Sequence, residues 1–387
     1  MLETDFYIKQ ETRSQRLIQD ILDTAGIELN GRNPWDIQVH DKRFYSRLLK
    51  NPSLSAGESY MDGWWDCDRL DELFCRIMIA QSQIKFRDWH FLFRNLKNYI
   101  FNLQTIKHSR EVAKTHYDLD NQLYIRMLGA SMAYTCAYWK DASCLDQAQN
   151  NKYDLVCHKL SIKPGDNILE LGCGWGGFAK FAATKYACTI TSVNISEQQV
   201  MFARELCAGL PITVHQADYR DMTLYNSRNI QFDKVVSIGM CEHIGSKNYA
   251  GFMRIAHEQL KNNGLFLLHT IGNNKTYGSL DPWINKYIFP NGAIPSIKQL
   301  GGSMENYFVM EDWHNFGKDY DKTLMAWYEN FNTNWPELSA RYDQRFYRMW
   351  VYYLLSCAGT FRARDLQLWQ IVLSKGRGQE SYLRVSD

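Results

Sequence analysis

From Pro164 onward the chain alternates short apolar runs with amphipathic segments, and that alternation limits the possible folds more than any other feature. The runs Asn167–Leu171, 189–193, Ile212–Gln216, Phe232–Ile238 and 265–271 read as strands. Segments 178–186, 197–208 and 249–261 between them have helical spacing. Strands and helices alternating at this interval build an α/β fold, a doubly wound, mostly parallel sheet with helices on both faces. Runs at 308–312 and 368–373 read as closing strands, with long aromatic helices over about 320–359 between them.

The first strand runs into Ile168-Leu169-Glu170-Leu171-Gly172-Cys173-Gly174-Trp175-Gly176-Gly177-Phe178. A buried strand breaks into a glycine turn and then a helix. Such a turn lets a backbone approach a ligand closely, and the helix offers unpaired N–H groups and a positive dipole end. The dinucleotide fingerprint needs G-x-G-x-x-G and an acid about 20 residues on. Here the spacing is G-x-G-x-G-G, and the second strand leads to Asn194, which disfavours a nicotinamide oxidoreductase. Glu170 inside the strand fits the E/D-x-G-x-G turn of S-adenosylmethionine (SAM) methyltransferases. A strand–helix turn without ligand is the plainer alternative, but closely spaced glycines lower local stability without a packing reason.

Ligands in open α/β sheets bind outside the carboxyl ends of the strands. The other strand ends are polar too: Asn194-Ile195-Ser196-Glu197-Gln198-Gln199, Asp218-Tyr219-Arg220-Asp221, Gly239-Met240-Cys241-Glu242-His243 and His269-Thr270-Ile271-Gly272. After strand two, polar groups suit a ribose or the methionine part. After strand three, Asp218 is placed to accept from an adenine amino group while Tyr219 stacks on the ring.

A length of 387 residues suggests two domains. Residues 1–80 read as a small mixed α/β docking or dimerisation domain, with helices near 15–25 and 42–50. Its Gly57-Glu58-Ser59-Tyr60-Met61-Asp62-Gly63-Trp64-Trp65 stretch is a packed corner or an interface, without catalytic geometry. Residues 81–110 carry six basic side chains against Asp88, interleaved with aromatics. Such a linker helix suits an anionic bilayer surface, or packs between domains with its charges solvated. Residues 111–387 form the catalytic domain, with a lid or insert at about 272–302. A net charge of +2 gives no argument for nucleic acid. Ten scattered cysteines lack zinc spacing, so no metal is expected, and reduced thiols fit a cytoplasmic enzyme. No apolar run reaches the ~18 residues of a membrane span, so membrane contact is expected to be peripheral, at the inner face.

The stretches GESYMDGWWDCDRLD, HYD, YTCAYW, LELGCGWGG, GMCEH, LLHTIG, DPWINKYIFPNG, FVMEDWHNFGKDYDKTLMAW and AGTFRARDLQLWQ together carry a resemblance over nearly the whole chain. The sequence resembles the bacterial cyclopropane-fatty-acyl-phospholipid synthases. The resemblance implies a class I SAM-dependent methyltransferase domain behind a small N-terminal domain, and a homodimer. The implied substrate is the cis double bond of an unsaturated phospholipid acyl chain. By the same resemblance SAM contacts Tyr134 and Thr135, Gly172, Cys173, Gly174, Trp175, Gly176 and Gly177, Asn194 to Gln199, and Asp218 to Arg220. A bicarbonate ion, held by Cys136, Glu242, His269, Ile271 and Tyr320, serves as base; Glu242 alone is the rival base. Cys357 matches a cysteine once proposed as catalytic and is read here as pocket lining. Asp120, where glycine is common, and Thr135, where serine is common, are the departures. A methylase leaving a methyl branch, or a lipid-binding protein without activity, shares most of these motifs.

Overall fold

A computed structural model describes residues 13–83, 121–376 and 382–385. The basic aromatic stretch from residue 84 and the HYD motif lie outside the described residues.

Nine strands are assigned among them: β1 Gln38–Val39, β2 Trp65–Asp66, β3 Asn167–Leu171, β4 Thr189–Asn194, β5 Ile212–Gln216, β6 Phe232–Ile238, β7 Leu260–Gly272, β8 Val309–Asn315 and β9 Gln367–Ser374. The main sheet has the order β5-β4-β3-β6-β7-β9-β8. The first five are mutually parallel; β9 runs antiparallel to both β7 and β8. Side chains of a strand alternate between faces, and each face here has its own core. Ile168, Val236, Leu265, Leu267 and Val372 pack on one side. Leu169, Leu171, Val235, Phe266, Leu268 and Ile371 pack on the other. Helices cover both, which is why the central strands read as unbroken apolar runs.

Strand order reverses at β3 and β6, which opens a crevice beyond their carboxyl ends. The sequence reading extends the helix before β7 to residue 261. The structure ends it at Gln259, because Leu260 pairs with Phe232 and Asn263 takes a left-handed φ of 66°. The segment 272–302 carries the short helix Pro282–Tyr287 and most of the helix Ile297–Met304. The first is capped by Asp281, the second by a Ser296–Gln299 capping box.

Helices Arg13–Asp23, Arg43–Leu48, Pro52–Met61 and Leu70–Gln83 surround the two-stranded β1–β2 sheet. They share one continuous core with the long helices Lys318–Leu338 and Gln344–Arg362. Tyr60, Trp65 and Phe74 ring Tyr352 at centroid distances of 5.6, 6.4 and 5.3 Å. Trp283, fully buried, lies against the Pro52–Met61 helix at Gly57, where any Cβ would collide with the indole. Ion pairs rim this contact. Arg362 bridges Asp71 and Asp321 at 2.6 and 2.9 Å, and Lys286 donates to Glu58 at 2.6 Å. Among the described residues, no helix is long and apolar enough to cross a membrane.

Candidate active site

The crevice at β3 is built by the glycine turn. Gly172, Gly174 and Gly176 have φ of 86°, 52° and 89°, and helix Gly177–Tyr186 begins directly after them. At Gly174 a Cβ would meet nothing within 4 Å, so its backbone faces open space where a ligand can lie against it. At Gly177 a Cβ would clash with the Ser131 carbonyl and the Tyr153 hydroxyl, so glycine is required for packing. Cys173 packs with Val200 and Ala203. Trp175 is buried on Tyr124 at 4.8 Å. Both leave only backbone to the turn. Glu170 accepts from Ser192 Oγ at 2.6 Å, and burial pushes its carboxyl up to about 7.

The second strand end closes on the first. Asn194 Nδ2 donates to the Gly174 carbonyl (3.2 Å) and to Gln199 Oε1 (2.9 Å), while its Oδ1 accepts from the Ser196 amide. Ser196 caps the Glu197–Leu206 helix. Ile195 is half-buried and Gln198 is exposed. At the third strand end, Asp218 is buried and accepts three hydrogen bonds from Arg220. A carboxylate has about four lone-pair sites, so about one is left for a ligand donor. The Tyr219 ring packs edge-on against Phe252 at 5.4 Å, inside the core beneath this loop.

Across the crevice lies a second group. Short helix Cys241–Ile244 follows β6 and carries Glu242. Its Oε1 accepts from the Ile271 amide at 2.6 Å, and its Oε2 is buried without a partner. Burial pushes this carboxyl up to about 7. His269, on β7, is wholly buried, and burial followed by the charges of Lys152 and Lys159 drives its proton affinity far down. Gln370 Nε2 lies 3.3 Å from its Nδ1. With the Gln370 amide in this orientation Nδ1 accepts, which leaves the ring proton to Nε2, an atom that also lacks a partner. Through the Ile271 amide Glu242 is tied to the strand that carries His269, so one orphaned acceptor and one orphaned donor lie at the same end of β7.

Tyr320 closes the group. Its ring lies tilted against Phe361 at 4.4 Å, and burial, together with the neighbouring Cys136, Glu242, Tyr134 and Cys357, holds its hydroxyl protonated. Cys136 is buried and donates to the Ala137 carbonyl at 3.2 Å. Cys357 is pushed up to about 12 by burial. Both remain neutral thiols, poor nucleophiles. Tyr134 bonds Tyr353 through its hydroxyl at 2.9 Å, and its ring meets Trp327 at 5.3 Å and Phe289 at 6.2 Å. The walls are thus aromatic, and the polar atoms few.

Sequence reasoning missed Lys152, Gln149 and Phe289. Lys152 and Gln149 had a signal: both fall on the buried stripe of helix Leu145–Lys159, with Leu145, Ala148 and Val156. Phe289 had none, because it reaches Tyr134 and His243 only through the fold.

If Glu242 must be ionised to accept a proton, activity rises with pH. Its folded pKa is raised by burial, so the carboxylate is lost below about 7, not below the usual carboxylate range. The kcat profile is expected to show an acidic limb with a midpoint near 7. A midpoint near 4 would remove Glu242 from the titrating step.

A seven-stranded sheet with one reversed strand, a glycine turn at its switch point and polar ends on the neighbouring strands define a class I SAM-dependent methyltransferase. Residues 104–371 match the family model described as mycolic acid cyclopropane synthetase. The chain is 51% identical over 375 residues to the cyclopropane-fatty-acyl-phospholipid synthase of Escherichia coli (strain K12), covering 96% of this chain and 95% of that one. It is also similar to the solved cyclopropane synthase MmaA2 from Mycobacterium tuberculosis, with a TM-score of 0.64 and 27% identity over 71% of this chain and all of that one. The mycolic acid cyclopropane synthase CmaA1, solved with SAH and CTAB, gives a TM-score of 0.63 and 28% identity over 69% of this chain and 98% of that one. The chain belongs to the cyclopropane synthase family.

Proposed function

We propose that this protein transfers a methylene from SAM to the cis double bond of unsaturated phospholipid acyl chains, closing a cyclopropane ring. The observation that carries the reading is the pair of orphaned buried atoms, Glu242 Oε2 and His269 Nε2, on the helix after β6 and on β7, the strand to which that helix is bonded. The sulfonium methyl needs no activation. An isolated alkene is a weak nucleophile, so the site must be dry and aligned. Tyr134, Trp327, Phe289 and Tyr320 exclude water, and their faces favour the positive charge that methyl transfer leaves on the acyl chain. One C–H bond of the new methyl then breaks, its electron pair closes the ring, and its proton leaves to a base.

Bicarbonate fits the orphaned atoms. It carries one O–H for Glu242 Oε2 and acceptor oxygens for His269 Nε2–H. When bound, it supplies a base that a carbocation does not alkylate irreversibly. Cys136, Ile271 and Tyr320 complete the enclosure. Glu242 accepts the hydrogen bond, is itself held by the Ile271 amide, and takes up the proton at Oε2. The neutral thiols of Cys136 and Cys357 line the pocket without attacking the cation.

The test is product analysis of unsaturated phospholipid vesicles incubated with the protein and SAM. A ring and a methyl-branched alkene have the same mass, so proton NMR decides between them. Upfield ring-methylene signals support the proposal; retained vinyl signals on a methylated chain, or no product, reject it.

Membrane docking through residues 81–110 and a homodimer built with the N-terminal residues belong to the same proposal. Neutralising Lys85, Arg87, Arg94 and Lys97 together is expected to weaken binding to anionic vesicles, with the difference shrinking as salt rises. Unchanged co-sedimentation would reject a docking role for the stretch.

A further inference from the structure

We propose that a row of polar side chains crossing the sheet, formed by Lys159, His314, Gln370 and His269, sets the polarity of the base site, with Gln370 and His314 as positioning residues. The row holds His269 as the tautomer that carries its proton on Nε2. The ring then offers a donor, and not a lone pair, to an anion such as bicarbonate. This rests on the base-site reading above and adds what orients its histidine.

The strand register builds the row. Gln370 on β9 pairs with His269 on β7 at one side and with His314 on β8 at the other. Residues directly opposite each other on neighbouring strands project to the same face of a sheet. That face carries Leu265, Leu267 and Val372, and Tyr153, Val156 and Cys157 of helix Leu145–Lys159 pack on it. Lys159, the last residue of that helix, is buried, with its Nζ 3.1 Å from His314 Nδ1 and 3.3 Å from Asp312 Oδ2. Phe316 meets both histidines, at centroid distances of 5.9 Å from His269 and 5.0 Å from His314.

Gln370 interrupts the apolar stretch from Leu368 to Leu373 and has no exposed surface. Among the described residues its Oε1 is buried without a partner. An apolar side chain of similar size would avoid that cost. The amide therefore has its use at the other end, where Nε2 lies 3.3 Å from His269 Nδ1.

The far side of the row selects this orientation of the amide. Lys159 is paired with Asp312, and an ammonium donates without accepting. His314 Nδ1 thus accepts from it, and the His314 proton lies on Nε2. Gln370 has an ammonium and a ring N–H on its His314 side, so its oxygen is favoured there and its NH₂ towards His269. Burial, followed by the charges of Lys152 and Lys159, keeps His269 neutral. A neutral imidazole has a single N–H. With Nδ1 accepting, that N–H is on Nε2, the buried atom left without a partner.

The experiment is long-range nitrogen–proton NMR of the full-length protein with isotopically labelled histidine, the His269 signals being assigned by their loss in His269→Asn. It is run on the wild type, Gln370→Leu and His314→Phe, beside rate measurements on unsaturated phospholipid vesicles at rising bicarbonate. The wild-type ring is expected to be protonated on Nε2. Leucine and phenylalanine keep the bulk and remove the hydrogen bonds, so both variants are expected to fold, and each is expected to show a mixture of the two tautomers. In Gln370→Leu the bicarbonate concentration giving half-maximal rate is expected to rise on the order of ten-fold, the loss of one hydrogen bond to an anion, with SAM affinity little changed. His314→Phe shifts both readouts the same way and by less. A wild-type ring protonated on Nδ1, which needs no variant to fold, or an unchanged tautomer in either variant would overturn the proposal. So would a lowered melting temperature with tautomer and bicarbonate dependence unchanged, the mark of a merely structural amide. A wild-type rate indifferent to bicarbonate would instead remove the ion from the base-site reading, and the tautomer measurement would still decide the row.

Discussion

Glu242→Gln is expected to lower kcat by about 10²–10⁴-fold, the usual range for loss of a positioned proton acceptor, while SAM affinity stays nearly unchanged. The amide keeps the shape and can still accept from the Ile271 amide through its oxygen. What it loses is an acceptor at the second position. The buried Oε2, now an acceptor without a protein partner, would become an NH₂. Two donors would then share the site, and neither could take a proton from the methyl. Among the described residues the side chain makes no hydrogen bond to the glycine turn, so binding of the donor is a fair control. Turnover on unsaturated vesicles and SAM titration together check the result. Near-normal turnover would remove Glu242 from the base site. Removing bicarbonate from the wild-type assay extends the test: a slowed reaction supports the ion as base, and indifference leaves Glu242 as the direct acceptor.

Trp283→Ala is expected to destabilise the protein by about 3–5 kcal/mol, as large aromatic truncations in a core do. Trp283 is 1% exposed. It packs on Tyr352 at 4.6 Å, donates to Met61 Sδ at 3.3 Å and occupies the notch at Gly57. An alanine would leave the notch empty on both sides. The adjacent Lys286–Glu58 pair is the competing explanation for how the N-terminal helices attach here. Its lysine side chain is 54% exposed, however, and such pairs contribute about 0–1 kcal/mol. Apolar burial therefore outweighs the ion pair. Thermal and urea unfolding should show a large loss for Trp283→Ala and a small one for Lys286→Ala. The reverse order would mean that charge, not burial, holds the two parts together.

The positions of the strand ends were readable because the central strands are apolar on both faces and end in polar turns. That alone brought Glu170, Asn194, Asp218, Glu242 and His269 to one edge of a sheet. Their states were not readable. Asp218 looked open to an adenine, yet Arg220 two residues on takes three of its acceptor positions. Tyr219 looked like a stacking platform, yet its ring belongs to the core with Phe252. Glu242 and His269 were named through a family resemblance. That each has one buried, unanswered atom needs the packing of β6, β7 and β9 around them. Gly57 shows the same limit: its role is set by Trp283, far away in sequence, and no local pattern announces it.

Strand β9 is buried at every one of its eight residues and lies between β7 and β8, both of which precede it in sequence. During synthesis the ribosome releases those two strands first. Until the segment around Gln367–Ser374 leaves the exit tunnel, β7 keeps an open edge with no native partner on that side, and β8 has nothing to pair with. A nascent chain in that interval exposes unpaired strand edges, the feature that invites aggregation and chaperone capture. The sheet around His269 is completed only when β9 pairs, so the Gln370 contact to His269 and the cover on the β7 edge arrive in the same step.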